Sequence, residues 1–457
     1  LSILARRPTP QALLLVTVLS LYGCSLFLLL PHLSLWLDEA LNVIGSEKAT
    51  IPALLDYVAH NSGGVPLGYL LQRFSIHLLG FSEVSARIPS AVSSLAATFG
   101  MYLLGRRLNA RFPALPALLF CLVPLQWRYA LEARPYSMAL ALTVWCTVVF
   151  LQLLDRPRMS RACLYSGLIL AAIYTNPYAL FVPAAHVLWL FRTAFETKPN
   201  RVAFVLALLS NTFAVLLFLP WYLHVRQLWA MDIPVNSHTG FLKLTELVLK
   251  ELVGGGYIGS ILILTLCAIG AKYLLSVSPA KAYLPVFWLA ATVGLPLLGN
   301  ALFHYFFAAR QLIFALAPLC LLAGIGIEAI GKQYKTAAIG VAAALAAVCL
   351  FNDINLFLKP RENWRAAAIT LQTLSGPDTC LVFVPADSLH LYQVFDPNLR
   401  DDNCSSHPAD YRQLALALSP YAPAATVKTA FDSVPSSFSR QGDLNGAGPH
   451  IRIYHKN

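Results

Sequence analysis

Apolar runs of about twenty residues recur along this 457-residue chain, separated by short clusters of arginine and lysine. A helix rises about 1.5 Å per residue, so a run of that length crosses a hydrocarbon layer of roughly 30 Å. The charge content agrees: 12% of the residues are charged and 57% are hydrophobic, about half the charge of an ordinary soluble domain. The chain therefore reads as a polytopic α-helical membrane protein. Its net charge of +11 would suit a nucleic acid only as a basic patch interleaved with exposed aromatics on a soluble face. Here the basic residues lie between apolar runs, as the positive-inside rule expects.

Eleven spans fit the charges. They run near 11–30, 84–104, 113–125, 136–154 and 162–174, then through a sixth returning to Arg192 and a seventh reaching about Trp221. An eighth ends near Lys272, and the last three lie near 283–303, 311–330 and 336–351. Arg6 and Arg7 ahead of the first run put the N-terminus in the cytoplasm and the C-terminus outside. A cleaved leader is the alternative for the first run, but it continues past Cys24 to Leu30 and lacks a small-x-small exit, so it reads as a retained span. The run at 113–125 is short for a crossing and is expected to be tilted or extended by its flanks. Two amphipathic helices, 51–60 and 67–79, are expected along the membrane surface in the first outer loop. Gly254-Gly255-Gly256 reads as a hinge, since no strand precedes it and no Lys-Ser/Thr follows.

After Asn352 the composition turns polar, which divides the chain into a transmembrane part, 1–352, and an extracytoplasmic domain, 353–457. An Ala-rich helix at 363–374 followed by a buried strand at 381–384 makes that domain a small α/β unit. The Ser/Gly/Pro-rich tail 433–448 reads as loop. Seven of the nine cysteines fall inside apolar runs and read as small core residues. Cys380 and Cys404 lie in the polar domain and could pair in an oxidising compartment, a point that spacing leaves open.

Polar residues gather on the outer side. Asp38 and Glu39 follow the first span, Arg128, Glu132 and Arg134 follow the third, His304 and Arg310 flank the ninth, and Arg365 lies in the exported domain. Carboxylates are costly within a bilayer and belong at its rim, where a polar cavity wets them. Acids and arginines converging there suit an anionic substrate beside a general base, because guanidinium forks match phosphate oxygens. Plainer readings stand beside this one. Asp38 and Glu39 can simply mark the end of a span, Glu132 and Arg134 can cap one as an ion pair, His304 can be a boundary residue, and Arg365 can anchor its domain.

Five strings sharpen the choice: L-W-L-D-E-A from Leu35, L-G-F-S-E-V-S-A-R-I-P-S from Leu79, R-Y-A-L-E-A-R-P-Y-S from Arg128, F-A-A-R-Q-L from Phe307 and E-N-W-R-A-A-A from Glu362. In that order the set resembles the GT-C glycosyltransferases of the protein O-mannosyltransferase and aminoarabinose transferase type. The resemblance implies a GT-C fold, a polyprenyl-phosphate-linked sugar as donor, and a lipid, glycan or protein acceptor on the outer face of the cytoplasmic membrane. It makes Asp38 the catalytic base and puts Glu132 in the second acidic position, orienting the acceptor or Asp38. Arg134 and Arg310 would take the donor phosphate with Tyr136 and Arg87 in support, while Glu39 would orient its loop. One departure is local: where many members carry a His-Pro-Pro-type string, this chain has Gly64-Val65-Pro66-Leu67, with His60 upstream. No cofactor is firmly implied, and a divalent cation held by Asp38 and Glu132 stays open. The runner-up reading is a carrier or flippase for a lipid-linked anion. It calls for inverted repeats and mid-membrane charge, neither of which the sequence displays.

Overall fold

The computed structural model describes residues 10–61, 64–196, 200–231, 241–253, 255–303, 309–359, 361–400, 410–445 and 448–457. The chain enters through α1 (Pro10–Leu29), then the shorter α2 (Leu37–Ser46), α3 (Ile51–Ala59) and α4 (Pro66–Leu79). The bundle continues with α5 (Glu83–Arg107), α6 (Ala114–Leu122), α7 (Pro124–Ala130), α8 (Tyr136–Asp155), α9 (Met159–Thr175), α10 (Phe181–Glu196) and α11 (Arg201–Met231). It closes with α12 (Phe241–Glu251), α13 (Gly256–Val277), α14 (Pro279–Phe303), α15 (Leu316–Gln333) and α16 (Lys335–Leu358).

Among the described residues nine helices are long and apolar enough to cross a membrane, and the chain is a multi-pass membrane protein. The other two expected spans take different forms. One is the shorter apolar helix Met159–Thr175. The other is split into α6 and α7, because Pro124 bars its predecessor from the helical region and leaves Val123 extended at φ −73°, ψ 124°. The expected surface helices are α3 and α4, each opening on a proline in its first turn, where no amide donor is needed. Of the glycine hinge, Gly254 lies outside the described residues, while Gly256 takes φ +62° and starts α13.

Helices α13 and α15 pack with their backbones in close approach. A Cβ on Gly270 would lie 2.0 Å from the Leu322 carbonyl oxygen, and one on Gly326 would lie 2.1 Å from that of Leu266. Small residues let two helix backbones approach within a membrane, where lipid supplies no hydrophobic drive. Gly326→Val is accordingly expected to destabilise the bundle by about 1–3 kcal/mol through overpacking. A lowered thermal midpoint in detergent would show it, and an unchanged midpoint would refute the packing argument.

Helix α16 runs on to Leu358, so the change of composition at Asn352 falls inside a helix. Beyond it lie α17 (Trp364–Leu374), β1 (Thr379–Val384), α18 (Leu389–Gln393), β2 (Gln413–Leu418), α19 (Ala424–Asp432), β3 (Phe438–Asn445) and β4 (His450–Lys456). The four strands form one sheet in the order β1-β2-β4-β3, with β1 parallel to β2 and the other pairs antiparallel. This corrects the loop expected at 433–448. The polar segment from Phe438 becomes an edge strand because β4 offers it a ladder, broken by a register shift between Arg440 and Gly442. Cys380 is disulfide-bonded, and Cys404, its expected partner, lies outside the described residues.

Candidate active site

Asp38 sits in the first turn of α2. Glu39, one residue on, reaches back to accept the Trp36 amide at 3.2 Å, the half of a capping box that satisfies an otherwise unpaired helix-start donor. Glu39 has no exposed surface, and neither has Arg87 of α5, which meets it with two forked bonds of 2.8 and 2.7 Å. The Ala133 amide adds a third, at 2.6 Å. Burial pushes the Glu39 carboxyl upward, but the charge and hydrogen bonds of Arg87, helped by Arg361 and the Ala133 amide, pull it below the ordinary carboxylate range. The remaining N–H groups of Arg87 go to the carbonyls of Leu30, Leu33 and Ser34. Arg87 was expected to support the donor phosphate, and this geometry corrects that. A sealed guanidinium whose donors are spent on Glu39 and on backbone has no face left for a ligand, so it fixes the turn that carries Asp38.

With Glu39 locked inward, Asp38 faces the other way. Its Oδ2 lies 3.3 Å from Arg310 Nη1 and 3.5 Å from Arg134 Nη2. Arg134 lies in the turn between α7 and α8. Its Nη1 also donates to the Asp38 carbonyl and to Asn42 Oδ1, each at 3.3 Å, and its plane lies over the Tyr136 ring, 5.6 Å from the centroid. Asp38, Arg134 and Arg310 keep partial exposure, at 23, 18 and 33%, so all three remain open to a ligand.

Glu132 is almost sealed. Its Oε1 takes Arg361 Nη2 at 3.2 Å and Arg128 Nε at 3.4 Å, while its Oε2 has no hydrogen-bond partner. Burial and the nearby Glu39 charge raise its carboxyl above the ordinary range, against the pull of Arg361, Arg128 and Arg134. It lines a cavity of about 180 Å³ with Trp36, Leu125, Arg128, Tyr129, Tyr136, Glu251 and Arg310. The indole N–H of Trp36 is likewise buried without a partner. Buried polar atoms left unmatched are costly, so each of these two can make a hydrogen bond with water or with a bound group.

Among the described residues no three His, Cys, Asp or Glu side chains gather as metal ligands. The two acids face guanidiniums, Asp38 those of Arg134 and Arg310, Glu132 those of Arg128 and Arg361. That surplus of positive charge fits an anion and does not fit a divalent cation.

Arg365 stands apart from the cavity and holds the C-terminal domain in place. Its Nε bonds Glu83 Oε1 at 2.6 Å and its amide reaches Ser34 Oγ at 3.3 Å. His304 lies outside the described residues. Among the charged residues that escape the sequence reading are Arg361, on Glu132, and Glu362, whose Oε2 accepts the Leu37 amide at 2.9 Å. The signal available is their adjacency, an Arg-Glu pair just beyond the end of α16.

The sequence pattern of the dolichyl-phosphate-mannose-protein mannosyltransferases matches residues 63–224. No curated protein sequence matches the chain. Among solved structures, apo ArnT from Cupriavidus metallidurans superposes with a TM-score of 0.61 at 13% identity, over 96% of this chain and 97% of that one. ArnT bound to undecaprenyl phosphate gives 0.57 at 12%, with the same coverage. The oligosaccharyltransferase AglB of Archaeoglobus fulgidus, in complex with an inhibitory peptide and a dolichol-phosphate, gives 0.55 at 10%, over 88% of this chain and 69% of that one. The bundle and the small sheet domain together give this chain, a multi-pass membrane protein, the GT-C fold.

Proposed function

We propose that the protein is an inverting glycosyltransferase that moves a sugar from a polyprenyl-phosphate donor to a lipid, glycan or protein acceptor at the outer face of the cytoplasmic membrane. One observation carries the reading: a partly exposed carboxylate, Asp38, is bracketed by two partly exposed guanidiniums beside a polar cavity. The sheet domain and the site share one end of the bundle. The positive-inside reading of the loops puts that end outside.

In this reading the donor phosphate takes Arg134 and Arg310. Both are then engaged by phosphate oxygens, which leaves the Asp38 carboxylate free to meet the acceptor. Displacement proceeds at the anomeric carbon: the acceptor oxygen forms the new bond, Asp38 takes its proton, and the bond to the phosphate oxygen breaks. A single displacement inverts configuration. Negative charge grows on the leaving phosphate, where the two guanidiniums are already aimed, so no strong general acid is required. The unpartnered Oε2 of Glu132 holds the acceptor or a sugar hydroxyl, and Tyr136 keeps the Arg134 plane in place. Undecaprenyl phosphate bound to ArnT and dolichol-phosphate bound to AglB support a lipid phosphate as the ligand class.

The test uses protein purified in detergent with a mixed extract of polyprenyl-phosphate sugars and envelope acceptors, and follows free polyprenyl phosphate. Acceptor-dependent release is expected. Arg310→Gln should weaken binding of polyprenyl phosphate by about tenfold or more, the scale of one charge-assisted bond. Lipid translocation in vesicles without any release of carrier would replace this reading with that of a carrier.

A further inference from the structure

Helix α2 is held by two bodies at once. Leu37, Ala40 and Ile44, on one face of the helix, share an apolar cluster with Trp364, Leu371, Phe383 and Tyr392 of the C-terminal domain. Val43 packs with Leu35, Ile76, Ala86 and Ala133 of the membrane bundle, a cluster that Val394 and Phe395 of the C-terminal domain also edge. The start of the helix is divided in the same way. The Trp36 amide is satisfied by Glu39, which Arg87 of the bundle locks. The Leu37 amide is satisfied from the other side, by Glu362 Oε2 at 2.9 Å. That oxygen also takes the Trp364 indole N–H at 2.8 Å, and the other oxygen takes the Tyr421 hydroxyl. Gly448 leaves room for this arrangement, since a Cβ there would lie 3.0 Å from the Cα, Cβ and Cγ of Glu362. A carboxylate at a helix start is favoured both by the unpaired amides and by the helix dipole. Asp38 lies between residues 37 and 39, so its direction is set by two anchors, one on each body.

We propose that Glu362 is a positioning residue for the transfer reaction, through which the C-terminal domain sets where the carboxylate of Asp38 points. The proposal rests on the reading of Asp38 as the base. It makes the domain part of the catalytic apparatus, beyond any role as a cover. The neighbouring Arg361 ties the same segment to Glu132, so one stretch of chain touches the supports of both acids.

The experiment uses the full chain with Glu362→Ala and Glu362→Gln, and with Asp443→Asn as a control that breaks ion pairs on the far strands of the same domain. Glutamine keeps an acceptor for the Leu37 amide, and alanine does not. Glu362→Ala should lower kcat by about tenfold to a hundredfold, the scale of a misplaced catalytic group, while affinity for polyprenyl phosphate stays within twofold. Amide exchange in residues 36–40 should accelerate, Glu362→Gln should recover most of both effects, and Asp443→Asn should match wild type. The proposal is overturned if Glu362→Ala keeps kcat within twofold. It is overturned equally if alanine and glutamine behave alike and protection is lost throughout 361–457, because the residue would then only be holding the domain together. Should wild type release no carrier from any donor, the glycosyltransferase reading fails instead, and unchanged exchange at 36–40 in Glu362→Ala would still sink the anchor on its own terms.

Discussion

Asp38→Asn is expected to keep the donor and lose the reaction, with kcat falling by about 10²–10⁴-fold, the usual contribution of a positioned general base. Asparagine preserves the shape and one carbonyl acceptor for Arg310 or Arg134, so the local fold should hold. Its neutrality has a second effect of opposite sign. With the carboxylate gone, the two guanidiniums 3.3 and 3.5 Å away lose their internal counter-charge, and an anionic lipid should bind at least as tightly as to wild type. Single-turnover release of carrier combined with equilibrium binding separates the two effects. A variant that turns over within a few-fold of wild type, or that loses binding and turnover together, would remove Asp38 from the role of base.

The second large effect falls on stability. Arg87→Met strands the Glu39 carboxylate in a site with no exposed surface, and breaking a buried pair from one side costs about 3–5 kcal/mol. Glu39→Gln should also destabilise, by leaving Arg87 uncompensated. The double variant Glu39→Gln/Arg87→Met removes both charges and should melt closer to wild type than either single change. A double-mutant cycle on thermal unfolding in detergent measures the coupling. Additive losses would mean that the two residues act independently, against the forked geometry.

Much of the fold was legible because a bilayer imposes its demands on composition. The long apolar runs, the helices at Ile51–Ala59 and Pro66–Leu79, and the mixed C-terminal domain all follow from pattern. The break at Val123 was visible only as a span that seemed too short. The strand Phe438–Asn445 was hidden because its pairing with β4, and not its own residues, makes it a strand. In the site, Asp38, Glu132, Arg134 and Arg310 could be named from their places at span ends. What each one faces could not be read, since direction depends on contacts such as Arg87 with Glu39, set by tertiary packing. That is why the sequence alone suggests a ligand contact for Arg87, and why the partners of Arg361 and Glu362 do not show in it although Glu362 opens one of the five strings.

If the proposed transfer is the reaction, the paired guanidiniums of Arg134 and Arg310 carry a cost at the end of its cycle. A sugar-linked phosphodiester brings one negative charge, whereas the carrier left after transfer is a phosphomonoester with about 1.5 to 2 at neutral pH. The spent carrier is therefore the stronger anion for the very cations that helped it depart. Under the proposed function, spent carrier is expected to compete with fresh donor for these two arginines, so turnover should rise when it is drawn away for recharging.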